Sequence, residues 1–358
     1  MWARALFAVF MLLLAAPAAL AQTPQWPVED GDFIARDVRF ASGEQLAEVR
    51  IHYAALGQPR RNRRGEVTNA VLLLHGTGGT GRQFLSPLFA NELFGPGQPL
   101  DINRYYIIMP DNLGHGQSSK PSDGLRMAFP RYDYADMVML QHRLLTQHLN
   151  VRQARLILGT SMGCMHIFQW GTTHPEFARA LMPLACEPVE IAGLNRMWRQ
   201  MMVDAIQADP VWNGGNYTEP PLQGLRTAAS IQVIAGAAPI ALQAQFPTRD
   251  AAIAEGRARV ERLMNRDAND MIYQFESSRT YNPWPHLERM RAPTMWLNSA
   301  DDFINPRNLT FPQEAIARMG PNARFRMIEE STETRGHGTH TAASFWKQDL
   351  IELMARSE

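Results

Sequence analysis

Leu156-Ile157-Leu158-Gly159-Thr160-Ser161-Met162-Gly163 decides how this chain is read. The apolar run Arg155 to Leu158 has the length and composition of a short buried strand, and Cys164 to Trp170 reads as a helix. Between them lies Gly-x-Ser-x-Gly, centred on Ser161. A strand that turns sharply into a helix lifts its central serine off the sheet and exposes the hydroxyl for nucleophilic attack. Glycines two residues either side are required because a side chain there would meet the neighbouring strand or helix.

Working outward, the segments around Ser161 alternate between strand and helix. Ala70-Val71-Leu72-Leu73-Leu74 is continuously apolar, as a central parallel strand buried on both faces must be. Tyr105 to Met109, Ala178 to Leu184, Ala292 to Asn298 and Phe325 to Ile328 repeat that signature. Tyr134 to Leu149 places Met137, Leu140, Leu144, Leu145 and Leu149 at helical spacing, and a terminal helix is expected over Ala342 to Met354. Upstream, Phe33 to Phe40 and Ala47 to Tyr53 alternate with period two and predict an antiparallel edge. The pattern implies an α/β fold with a mostly parallel central sheet flanked by helices. Ile191 to about His286 breaks the rhythm, with helical patterns and no convincing strand, and predicts a helical cap. The expected divisions are a core over 22–190, the cap over 191–286 and the rest of the core over 287–358.

The loops after the strands carry the chemistry. His75-Gly76-Thr77-Gly78-Gly79-Thr80-Gly81 offers backbone N–H groups to a developing oxyanion, and lacks the spacings of phosphate-binding glycine loops. Thr77 and Met162, the latter because it comes directly after the serine, are the expected donors. His75 reads as a residue that pins this loop. After the strand ending at Asn298, Asp301 and Asp302 compete as the acid, with Asp302 preferred for its distance to Pro306. His337, in Gly-His-Gly before the terminal helix, is the candidate base and His340 its rival. The order serine, acid, histidine is that of the α/β hydrolases. His337-x-x-His340 has no accompanying Glu, so no metal site is expected, and no cofactor is called for.

Composition narrows the partners. With 35 basic and 35 acidic residues there is no electrostatic case for nucleic acid or an anionic surface. Arg4, the apolar run Ala5 to Ala15 and Ala19-Leu20-Ala21 read as a cleavable signal peptide over 1–21, implying a periplasmic or secreted protein. No membrane span is expected in the mature chain, and the oligomeric state is left open, a homodimer included. Cys164 and Cys186, the only cysteines, read as two buried thiols in preference to a disulfide, although pairing stays open.

From about Asp32 to its end the chain resembles the homoserine O-acetyltransferase-like branch of the α/β-hydrolase superfamily. Gly-Thr-Ser-Met-Gly-Cys-Met at 159–165 is similar to that branch's Gly-Gly-Ser-Met-Gly-Gly-Met. Phe129 to Leu149, Ala208 to Gly215 and Arg266 to Asn269 match its other segments. The resemblance implies a covalent acyl-enzyme on Ser161, with His337 as base and Asp302 holding the imidazole. Two departures bear on activity. Gly338 stands where the acetyltransferases carry the Asp that receives the substrate's ammonium group, and Leu113 to Ser119 has the form common in plain hydrolases. The expected activity is therefore hydrolysis of a small carboxylic ester, with acyl transfer to a small acceptor as the alternative.

Overall fold

The two faces of each central strand belong to different cores. In the computed structural model, which describes residues 26–309 and 311–358, Leu72 and Leu74 of β3 (Ala70–Leu74) enter one apolar cluster while Val71 and Leu73 enter another. β5 (Leu156–Thr160) divides likewise, Ile157 to one side and Leu156 and Leu158 to the other. Such strands are buried only if helices cover both sheet faces. The remaining strands are β1 (Glu29–Arg39), β2 (Gln45–Leu56), β4 (Tyr106–Pro110), β6 (Leu181–Leu184), β7 (Thr294–Ser299) and β8 (Ala323–Ile328). Their order is β1-β2-β4-β3-β5-β6-β7-β8. β1 and β2 pair antiparallel, as do β2 and β4, and every later pairing is parallel. This is the α/β-hydrolase fold. The expected signal peptide over 1–21 lies outside the described residues.

The helices are α1 (Pro87–Leu93), α2 (Tyr134–Arg143), α3 (Met162–Thr173), α4 (Gly193–Gln207), α5 (Leu222–Ala235), α6 (Pro239–Gln245), α7 (Arg249–Glu261), α8 (Ala268–Glu276), α9 (Phe311–Met319) and α10 (Lys347–Arg356). α2 and α3 cover one sheet face, and α1 and α10 the other. Asp133 starts α2 by accepting the Asp136 N–H, the usual use of an acid at a helix N-terminus. Between β6 and β7 the chain forms α4 to α8. Met202, Val203, Ile206, Leu225, Met271 and Phe275 give these helices a small core of their own. Among the described residues no single helix is long and apolar enough to cross a membrane.

Three boundaries differ from the sequence expectation. The helix expected to Leu149 becomes a wider π turn over Leu144–His148, and Asn150 then takes a positive φ that ends it. Regular α10 begins at Lys347, five residues beyond Ala342 in the expected helix, because residues 343–345 form a tight turn. That turn buries Trp346, whose indole N–H donates to the His340 carbonyl at 3.1 Å. Of Ala178 to Leu184 only the last four residues are strand.

The cysteines correct a further expectation. Cys164 in the first turn of α3 and Cys186 just after β6 form a disulfide, with Cα atoms 5.8 Å apart. Burial alone suggested two thiols, but β5 and β6 are adjacent parallel strands, so the chain leaves both at the same edge and the two cysteines become neighbours. The bond closes a loop with a sequence separation of 22 residues. Replacing both cysteines by alanine is expected to lower the unfolding free energy by about 2–4 kcal/mol, through the extra freedom of the unfolded chain. Denaturant titration of the double variant against the oxidised protein measures this.

Candidate active site

Ser161 sits at φ 56°, ψ −112°, a conformation that costs a non-glycine residue about 1–3 kcal/mol. It is held there because its N–H donates to the Leu184 carbonyl at 2.8 Å and α3 begins at once. The flanking glycines have steric reasons. A Cβ on Gly159 would run into the Gly163 carbonyl, and one on Gly163 into the Leu74 carbonyl of β3.

Three side chains from distant parts of the chain meet above this turn. With the ring proton on Nδ1, His337 donates to Asp302 Oδ2 at 2.8 Å. Its Nε2 then accepts from the Ser161 hydroxyl, also at 2.8 Å. Asp302 is 1% exposed and accepts two further bonds, from the Ile304 N–H at 2.8 Å and the Asn305 amide at 2.9 Å. Burial pushes its pKa up, but the His337 ring and these donors outweigh that and hold the carboxyl below its ordinary value. It stays an anion against the imidazole.

The two rivals occupy different places. Asp301 turns the other way, accepting from Ser299 Oγ at 2.5 Å, Thr334 Oγ1 at 2.8 Å and the Gly336 N–H at 3.0 Å. It ties the end of β7 to the loop that carries His337. His340 packs edge-on against His337, ring centroids 5.1 Å apart, and burial pushes its pKa down to about 3. It is a neutral ring packed against His337 and outside the lining of the Ser161 cavity.

On the opposite side of Ser161 lies the glycine loop. A Cβ on Gly76 would stand 3.3 Å from the Ser161 Cβ, so the loop passes directly beside Ser161. Among the described residues neither the Thr77 nor the Met162 N–H has a protein acceptor. His75, fully buried, holds the loop: Nδ1 donates to the Gly76 carbonyl at 2.8 Å and Nε2 accepts the Asn112 N–H at 2.9 Å. Burial lowers its pKa, which suits a neutral ring that both donates and accepts. Asp111 contributes by accepting the Gly81 N–H at 2.8 Å. Arg266, just before α8, lies over Gly78 and donates to Gln232 at 3.1 Å, which brings the α5–α8 region onto the loop.

A cavity of about 230 Å³ opens from Ser161 and His337. Met165, Val189, Ile191, Leu194, Phe303 and Ile304 make much of its wall apolar, and the first turn of α4 closes one side. Glu187 also lines it and is absent from the sequence expectations. No motif marks Glu187; only its position after β6, beside a strand-end loop, hinted at the site.

The family described as alpha/beta hydrolase fold matches residues 69–331. A homoserine O-acetyltransferase of Solidesulfovibrio magneticus is 31% identical over 287 residues, covering 74% of this chain and 68% of the relative. One from Moorella thermoacetica is 32% identical over 337 residues, covering 80% and 86%. Among solved structures, esterase E22 superposes with a TM-score of 0.79 at 19% identity, over 91% of this chain and 100% of the other, a likeness of fold. The chain belongs to the α/β-hydrolase family and, within it, to the homoserine O-acetyltransferase-like branch.

The adjacent aspartates separate experimentally. Asp302→Asn is expected to slow labelling of Ser161 by a fluorophosphonate by about 10³–10⁴-fold, because the imidazole loses its correct tautomer and its counter-charge. Asp301→Asn is expected to leave labelling of the folded protein within a few-fold while lowering its melting temperature.

Proposed function

We propose that this protein is an acyl-transfer enzyme that works through a covalent acyl-enzyme on Ser161. The observation that carries the reading is the unbroken hydrogen-bond chain Ser161–His337–Asp302 beside two unclaimed backbone N–H groups. His337 Nε2 removes the hydroxyl proton as Ser161 Oγ attacks the carbonyl carbon of an ester or thioester. The Thr77 and Met162 N–H groups receive the oxyanion, each donor being worth about 3–4 kcal/mol in the transition state. His337 returns the proton to the leaving group as the carbonyl re-forms. An acceptor hydroxyl then repeats the sequence in reverse and carries the acyl group away. The acetyltransferase relatives support a small alcohol as that acceptor.

A second reading, with water as acceptor, is favoured by Gly338. Where the resembled acetyltransferases present an Asp to the acceptor's ammonium group, this chain has no side chain. An amino-acid acceptor such as homoserine would lose that charge pair, while a neutral alcohol or water would lose nothing. Both readings share the acyl-enzyme and differ only in what resolves it.

We also propose that the protein acts outside the cytoplasm. The signal-like pattern over 1–21 and the Cys164–Cys186 disulfide support this together, since disulfides persist in oxidising compartments. The mature protein recovered from an expressing bacterium is expected in the periplasm or medium with Gln22 as its first residue, as read by mass spectrometry.

For the chemistry, p-nitrophenyl acetate is expected to give a nitrophenol burst stoichiometric with enzyme, abolished in Ser161→Ala with the fold retained. Adding a neutral alcohol or homoserine and quantifying acetylated acceptor against free acetate separates transfer from hydrolysis. Turnover that survives in Ser161→Ala overturns the mechanism.

A further inference from the structure

Glu187 is an ionisable side chain in the wall of the Ser161 cavity that the acyl-transfer steps leave unused. Its Oε1 accepts from the Asn298 amide at 2.8 Å. Its Oε2 is buried and has no hydrogen-bond partner among the described residues. Among the described residues no basic side chain lowers its pKa. Asp302, an anion, faces it from the loop after β7, Tyr281 reaches its backbone carbonyl from the segment after α8 at 3.1 Å, and Glu190 and His337 line the same cavity. A polar oxygen left unpaired in a mostly apolar site is costly unless a ligand satisfies it.

We infer that Glu187 is a specificity-determining residue whose carboxyl anchors a hydrogen-bond-accepting oxygen on the part of the substrate that fills this cavity. The inference rests on Ser161 as the reacting centre. Burial first, then the Asp302 charge, pushes the Glu187 pKa up to about 8, so at neutral pH the group keeps its proton. With Oε1 taken by Asn298, the proton belongs on Oε2, a donor with no acceptor in the protein. A ketone, ether or hydroxyl oxygen supplies that acceptor, and a plain hydrocarbon chain of the same length does not. Discrimination arises because a site built to hydrogen-bond an oxygen is left with an unpaired polar group when the oxygen is missing.

The test compares matched pairs: p-nitrophenyl 5-oxohexanoate against hexanoate on the acyl side, and 2-ethoxyethyl acetate against pentyl acetate on the alcohol side. The quantity read is the ratio of kcat/KM within each pair, so intrinsic ester reactivity cancels between enzyme variants. Wild type is expected to favour the oxygenated member of one pair. Glu187→Leu is expected to cut that ratio about five- to tenfold, the loss of one net hydrogen bond. Glu187→Gln, which keeps Oε1 as acceptor and offers an amide donor in place of the carboxyl, is expected to preserve it. The wild-type ratio falls as pH rises through about 8, when Glu187 loses its proton, whereas the Gln variant stays flat. A ratio unchanged in Glu187→Leu overturns the assignment. Should the Leu variant not fold, identical pH profiles for wild type and Glu187→Gln do the same. If wild type turns over neither ester nor thioester, the Ser161 reading fails by itself. Calorimetric binding of the same pairs to wild type and Glu187→Leu then decides Glu187 independently.

Discussion

The positive φ of Ser161 is the constraint on which the rest of the site depends. A side chain at the end of a strand would ordinarily project from a sheet face into a neighbouring layer. The reversal at Ser161 turns its hydroxyl out and starts α3 immediately, which leaves the Met162 N–H without an intrahelical acceptor. The strain persists because the surroundings leave no alternative: α3 packs so closely on β3 and β5 that Gly159 and Gly163 have no room for a Cβ. One backbone turn thus presents both the Ser161 hydroxyl and an unclaimed N–H at the same place.

Around that turn, buried polar groups are used in two ways. His75 and Asp301 satisfy backbone and hydroxyl groups in the loops and hold those loops in place. Asp302 is buried as well, but its partners include the His337 ring, which in turn bonds Ser161. What separates Asp301 from Asp302 is direction. The chain turns directly after β7, the Asp302 N–H donating to the Ser299 carbonyl, and the turn leaves one side chain facing Thr334 and Gly336 and the other facing His337. Each has a full set of hydrogen bonds, which is why two adjacent acids survive beneath the surface.

The helices α4 to α8 meet this centre at three points: the first turn of α4 against the cavity, Arg266 over Gly78, and Ala237 against Gly336, where a Cβ would collide. Gly336 has φ 58° and no room for a Cβ there, so the loop that carries His337 passes directly against Ala237. The region that lines the cavity thus also packs against the loop that carries His337. The cavity wall is mostly apolar, with the carboxyls of Glu187 and Glu190 as its acidic groups.

Local patterns carried much of this architecture on their own. Strands buried on both faces announce themselves as unbroken apolar runs, and Gly159 and Gly163 around Ser161 mark a turn that few other residues tolerate. The order Ser161, Asp302, His337 and the glycines from Gly76 to Gly81 were likewise readable, because each lies in a strand-end loop with its own composition. The structure places His337 within hydrogen-bond reach of both Ser161 and Asp302. Contacts between such segments were not legible. The Cys164–Cys186 disulfide depends on β5 lying next to β6, a fact of strand order that no spacing of two cysteines encodes. Glu187 has no motif, and its significance comes from an apolar cavity assembled by α4, Phe303 and Met165 around a carboxyl that only Asn298 answers. Sequence pattern reports what one segment does to its own backbone, whereas pairing, desolvation and orientation belong to distances between segments, which exist only in the folded chain.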